Sequence, residues 1–236
     1  MRKVKIFRTI MVFWTLFIGI GAVAGATGML VAPDGSAMGM QSMLPYFQVL
    51  PFAGVLFQDF IVPGIALLLI NGIPNLIAAY FLLRNKKIGG YLGCSLGVIL
   101  MLWITIQFVI FPLNFLSAIY FFFGLLQFLC GVAYIIFEKQ SKFHFDASLY
   151  HSIGTDSSIL VVYFSRKGYT KKIAYEKANK LGADLFEITT PERTKGFFGF
   201  AWLGRFAMHK WAMPIHPVTV DVSKYEKVII VTPIHV

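Results

Sequence analysis

Two groups of residues in this sequence have the types and spacing to do chemistry. The first is the run Ser165-Arg166-Lys167-Gly168-Tyr169-Thr170. Hydroxyls at Ser165 and Thr170, cations at Arg166 and Lys167, and a backbone opened by Gly168 are the components of an anion site. If a helix starts here, its unpaired amides and its dipole favour a phosphate. The run lacks the Gly-Lys-Ser/Thr ending of a nucleoside-triphosphate loop, and it is not Gly-x-Gly-x-x-Gly. The second group is Asn71-Gly72-Ile73-Pro74-Asn75, inside a long apolar stretch. A spacing of four puts both amides on one helix face, and Pro74 predicts a kink. Such a pair suits a polar pocket for a quinone, haem or small solute. It equally suits amides that bond a neighbouring helix or the carbonyls released by Pro74, which is the plainer expectation. Gln107 and Gln127 read the same way. All five His lie beyond residue 143, so bis-histidine haem ligation has no support in the apolar half. His209 and His216 lack a partnered ligand set. No metal is assigned, and no catalytic acid or base can be named.

The elements around the first group suit its use. Ile159-Leu160-Val161-Val162-Tyr163-Phe164 is a short continuous apolar run, as expected of a strand covered on both faces in a parallel sheet. A helix is predicted after the loop, through about Leu181, with Ile173, Lys177 and Leu181 and the neighbouring Ala174 and Ala178 as its buried stripe. Gly182 ends it. Second and third strands are predicted at 184–189 and 227–232, so strand, helix and strand form a right-handed βαβ unit. Between them, Phe197, Phe198, Phe200, Trp202, Phe206 and Trp211 alternate with Lys195, Arg205, His209 and Lys210. This crossover is either a helix packed on the sheet or an amphipathic helix lying on a lipid surface.

The run from Ile159 to Ala174 closely resembles the first strand, phosphate loop and first helix of flavodoxins. In that family the loop reads Ser/Thr-x-Ser/Thr-Gly-x-Thr and holds the phosphate of FMN. Ser165, Gly168 and Thr170 match, whereas Lys167 stands where a hydroxyl is usual and weakens a hydrogen bond or exchanges it for a charge contact. The run Asp221 to Ile234 is similar to the approach to the family's third strand, ending in the Thr-Pro-Ile that opens the isoalloxazine-binding loop. The resemblance implies FMN as cofactor. It implies as cofactor-binding residues Ser165, Arg166, Lys167, Gly168, Tyr169 and Thr170, together with Thr232, Pro233, Ile234 and His235. It also implies a sheet of strand order 2-1-3-4-5, of which residues 158–236 supply three strands. The expectation is therefore a fragment, a truncated product or a domain completed by a partner, with the ring site incomplete and an apolar edge on the third strand.

The rest of the chain has a different composition. Of 236 residues 57% are hydrophobic and only 14% charged, against about a quarter charged in ordinary globular domains. Between Thr9 and Leu83 the charged residues are Asp34 and Asp59, and between Ile88 and Phe137 there are none. A spanning helix needs about 20 apolar residues, and only a helix satisfies its own amides away from water. The runs Thr9–Val31 and Phe60–Leu83 predict two spans, and 88–137, broken at Phe111-Pro112-Leu113-Asn114, predicts two more. Basic residues cluster before the first span, between the second and third, and after the fourth, and the other two connections have none. Because basic loops stay inside, both termini are expected in the cytoplasm. The start also has the look of a cleaved signal peptide, but three further spans favour an anchor. Cys94 and Cys130 fall inside spans, so no disulfide is expected.

Seven basic and two acidic residues precede Glu138, and fourteen and nine follow from Glu138 on. Each half thus carries an excess of five positive charges, which an anionic inner leaflet explains without nucleic acid. The expected fold is an α-helical membrane bundle of four transmembrane helices, followed by a partial α/β flavodoxin-like parallel sheet. The expected domains are 1–138 for the bundle, 139–157 for a linker and 158–236 for the truncated flavodoxin-like part. The expected function is FMN-dependent electron transfer or a reductase step at the cytoplasmic membrane face, with the lipid bilayer and a redox protein as partners. The alternatives are a non-enzymatic membrane protein with a degenerate flavodoxin module, and a small-solute or quinone-binding bundle centred on Asn71 and Asn75.

Overall fold

The computed structural model describes residues 2–232, with Phe197 described by its backbone alone. The chain divides into two compact units, Met1–Phe143 and His144–Val236. The first contains four long helices, α1 (Arg2–Val31), α2 (Ile61–Leu83), α3 (Lys87–Ile110) and α4 (Phe115–Lys142). All four are long and apolar enough to cross a membrane. The break between α3 and α4 falls where Pro112 stops the amide ladder. Asn114 then caps α4, its side chain accepting from the Ser117 amide at 2.8 Å. The last helix continues to Lys142, past the residue where the apolar run ends, because a Glu138–Lys142 ion pair one turn apart extends its polar end.

Glycines set how closely α3 and α4 approach. A Cβ on Gly97 would lie 2.6 Å from the Phe128 amide nitrogen, and one on Gly131 would lie 2.8 Å from the Cys94 Cα. Small residues let helix backbones touch where lipid offers no hydrophobic drive to associate. The connection from α1 to α2 is folded rather than loose. Gln41–Val49 forms a 3-10 stretch, and Phe47 packs with Phe60, Ile110 and Phe111 in an aromatic cluster. Asp59 accepts from the Ile61 amide at 2.9 Å in a tight turn just before α2. Asp34 accepts from the Ser36 hydroxyl at 2.7 Å and amide at 3.0 Å, and these bonds hold its carboxyl below the usual value.

Pro74 is accommodated in α2 without a break. Leu68–Gly72 forms one wider π turn, in which the Ile73 amide reaches back to the Leu68 carbonyl. The widening makes room where a proline ring would crowd the preceding turn, a known origin of helix distortion.

The second unit is built on a parallel sheet of β1 (Asp156–Tyr163), β2 (Ala183–Glu187) and β3 (Lys227–Val231), in the order β2-β1-β3. Helix α5 (Tyr169–Leu181) connects β1 to β2, and α6 (Gly196–His209) lies in the crossover to β3. Strand β1 is central. Its residues Leu160, Val161, Val162 and Tyr163 are buried, as a continuous apolar strand requires.

The buried stripe of α5 departs from the expected one. Ala174 and Ala178 face the sheet with Thr170, whereas Ile173 is 56% exposed and Lys177 is exposed too. Helix and strand approach closely enough that only small side chains fit beneath, and Tyr175 and Leu181 fill the flank. Tyr175 also receives Phe145 at 4.9 Å and Tyr150 at 5.6 Å between ring centroids. These two come from the stretch read as linker and are packed in this unit. Helix α6 leaves three of its described aromatics in the open. Among its described side chains Leu203 is buried, while Phe198, Phe200 and Trp202 are exposed. Arg205 stacks its guanidinium 3.8 Å from the centre of the Trp202 ring. Strand β3 is an edge strand whose Ile230 is 68% exposed.

Candidate functional site

The Ser165–Thr170 loop leaves the carboxyl end of the central strand and enters α5 directly. Gly168 sits at the helix N-cap with φ of 90°, a left-handed conformation that costs glycine little and other residues more. Its amide donates to Ser165 Oγ at 3.1 Å, folding the loop back on itself. Glycine has no side chain to cap the helix, so no capping bond forms. A helix start without a side-chain cap is suited to receive an anion. Thr170 is buried at the base of this turn, Ser165 is half-buried, and Tyr169 is exposed.

The two cations behave differently. The Arg166 guanidinium is drawn away, with Nη1 3.4 Å from the Gly196 carbonyl oxygen and the group 5.0 Å from the Phe200 ring. Lys167 is exposed as a residue, yet partial burial of its ammonium, and then the Arg166 charge, pull it below the ordinary lysine value. An anion in the loop would oppose both effects. Lys171, one turn on, is already paired with Glu187 at 3.0 Å. Glu187 also accepts from the Tyr163 hydroxyl at 2.8 Å. Burial, and then this bond to a carboxylate, push the Tyr163 hydroxyl well above the usual tyrosine value.

Parallel pairing aligns the three strand ends. Tyr163 is in register with Glu187 on one side and Val231 on the other. The loop and Thr232 therefore both follow the carboxyl ends of neighbouring strands, where the chain's order reverses between β1 and β3. In open α/β sheets such a switch point is where ligands bind. Pro233, Ile234 and His235 lie outside the described residues. Among the described residues no group of His, Cys, Asp and Glu is placed to hold a metal.

The four-helix unit holds a second polar group. Asn71, Asn75 and Gln127 are all buried. Asn75 matches the plainer expectation, donating to the Asn71 carbonyl at 2.8 Å and accepting from Gln127 Nε2 of α4 at 2.9 Å. Asn71 does not. Neither its Oδ1 nor its Nδ2 has a partner among the described residues. Nothing in the sequence pairs Asn75 with a residue 52 positions away, and only the packing of α2 against α4 does so.

No family model, curated protein or solved structure matches this chain.

Proposed function

We propose that this is a membrane-anchored flavodoxin-like protein that binds FMN and carries an electron-transfer or reductase step at the cytoplasmic face. The observation that carries this reading is the Ser165–Thr170 loop. It lies at the carboxyl end of a central parallel strand, with left-handed Gly168 at a helix N-terminus and β3 on the other side. The strand order β2-β1-β3 agrees with the first three strands implied by the flavodoxin resemblance. Ser165, Thr170 and the first-turn amides would hold the phosphate, with Lys167 supplying charge at its edge. Thr232 would begin the ring contacts. FMN, when bound, supplies one- and two-electron chemistry.

Titrating the full chain in lipid nanodiscs with FMN should quench the flavin emission to saturation. Riboflavin, which lacks the phosphate, should bind at least about tenfold more weakly, or about 1.4 kcal/mol. Equal binding of the two would remove the phosphate loop from the account, and no quenching by FMN would end the reading.

Basic residues before α1, between α2 and α3, and after α4 support an orientation with both termini inside. In a Cys94→Ala, Cys130→Ala background, Gly54→Cys should react with an impermeant maleimide from outside intact cells. Lys86→Cys should react only after permeabilisation. The opposite pattern would invert the topology.

A further inference from the structure

Helix α6 is amphipathic in an unusual way. Gly199 and Leu203 are buried and Phe206 is half-buried, and this spacing of four and three marks its inward side. Phe198, Trp202, Arg205 and His209 repeat the spacing along a neighbouring line, on which Phe198, Trp202 and His209 are exposed. In the last turn Met208 is 79% exposed, and Trp211 just beyond it is 55% exposed. Phe200 lies on the other side of the helix, where the Arg166 guanidinium meets it, and is not part of this face. Single exposed apolar residues are ordinary, but a contiguous set of this size marks an interaction surface.

The charges on the face say what kind of surface it meets. The Arg193 guanidinium lies 5.5 Å from the Phe198 ring centre, and that of Arg205 lies 3.8 Å from Trp202 and 5.5 Å from Trp211. The His209 ring stacks on Trp211 at 4.6 Å. Lys195 and Lys210 are exposed at the two ends of the helix. From Arg193 to Val220 the chain has these four Lys and Arg and no Asp or Glu. Glu192, just before this stretch, accepts from the Trp202 indole N–H. Aromatic bodies interleaved with cations suit a headgroup layer, in which rings enter the acyl boundary while the cations stay with phosphates. A bilayer is also close by connectivity. Helix α4 ends at Lys142 and this unit begins at His144, so a bilayer spanned by α4 is held at high local concentration. The inner leaflet is the anionic one.

We propose that the Phe198, Trp202, Arg205 and His209 face of α6, with Met208 and Trp211, docks on an anionic lipid surface, the inner leaflet of the membrane that anchors the chain. The proposal rests on the membrane placement proposed above, but not on FMN binding.

The test places an environment-sensitive fluorophore at Met208→Cys in the full chain, in the Cys94→Ala, Cys130→Ala background, reconstituted in nanodiscs. Ile77→Cys on α2 reports whether the bundle is in lipid, and Glu176→Cys on α5 is the control for chance contact; both side chains are exposed. In nanodiscs containing phosphatidylglycerol, lipids brominated on their acyl chains should lower the Met208 label's emission at least about twofold, and aqueous iodide should quench it weakly. Phosphatidylcholine alone should abolish the lipid quenching, as should Lys195→Glu with Lys210→Glu, two exposed positions whose reversal leaves packing alone. A thermal midpoint checks the fold of the reversed variant, and the change of lipid tests the same charge match in the unreversed chain. Quenching at Ile77 without quenching at Met208 overturns the proposal. So does a Met208 label shielded from iodide but untouched by the brominated lipid, since protein then covers the face. Equal lipid quenching at Glu176 overturns a contact specific to α6, and quenching indifferent to both charge changes overturns the anionic match. No quenching at Ile77 removes the membrane placement and this proposal with it, while FMN titration of the same samples reads the flavin proposal separately.

Discussion

Replacing Gly97 with valine is expected to separate α3 from α4 and to cost the four-helix unit about 3 kcal/mol or more. The size of the effect follows from what the new Cβ would meet. It would stand 2.6 Å from the Phe128 nitrogen, 2.8 Å from the Gly124 carbonyl oxygen and 3.0 Å from the Phe128 Cα. All three are backbone atoms, which cannot rotate away as a flexible side chain can. Two helices would have to move apart, and the close backbone contact between α3 and α4 would be lost. Gly131→Val should act similarly, through the Cys94 backbone and Cβ. Gly54→Val is the control, because nothing lies within 4 Å of its built Cβ, and it should stay within about 0.5 kcal/mol of wild type. Thermal or SDS unfolding in detergent reads all three. A wild-type midpoint for Gly97→Val would mean that the helices do not meet this closely.

The second large effect is expected at Gly168→Val. At φ of 90° a β-branched residue carries strain of about 1–3 kcal/mol, and relief of that strain would rotate the Gly168 amide away from Ser165 Oγ. The loop would open, and FMN affinity should fall at least tenfold. Gly182→Val separates loop damage from general destabilisation. That glycine is also left-handed, at φ of 68°, and its Cβ would lie 2.5 Å from Thr155 Oγ1, but it closes the far end of α5. Its midpoint should fall as much or more, while FMN affinity of the folded fraction should hold. If both variants lose FMN equally, the loop geometry is not what binds it. Ser165→Ala should show a milder loss with little change in midpoint.

Much of this architecture is legible along the chain because it follows from local composition. Four apolar runs are long enough to span lipid, and the Pro112 break and Gly182 stop act on their own backbone. The apolar run of β1 needed no partner to be recognised as a doubly covered strand. The Ser165–Thr170 loop is equally local: its residues, its left-handed glycine and the helix it opens are consecutive.

What depends on approach between distant segments was not legible. The stripe of α5 kept Ala174 and Ala178 as expected but lost Ile173 and Lys177, because the close approach of the sheet, and not helical period alone, chose which face could be buried. Arg166, counted by type as a phosphate cation, is held by Gly196 and Phe200 from the crossover. Asn71 and Asn75 are indistinguishable by residue type and share a helix face. Packing against Gln127 satisfied one and left the other without a partner among the described residues. The sequence alone therefore determined where the apolar helices lie and where the Ser165–Thr170 turn opens a helix. Only tertiary structure decided which polar groups are satisfied, because a hydrogen bond depends on what lies within about 3 Å, and that distance is set by chain segments far apart in sequence.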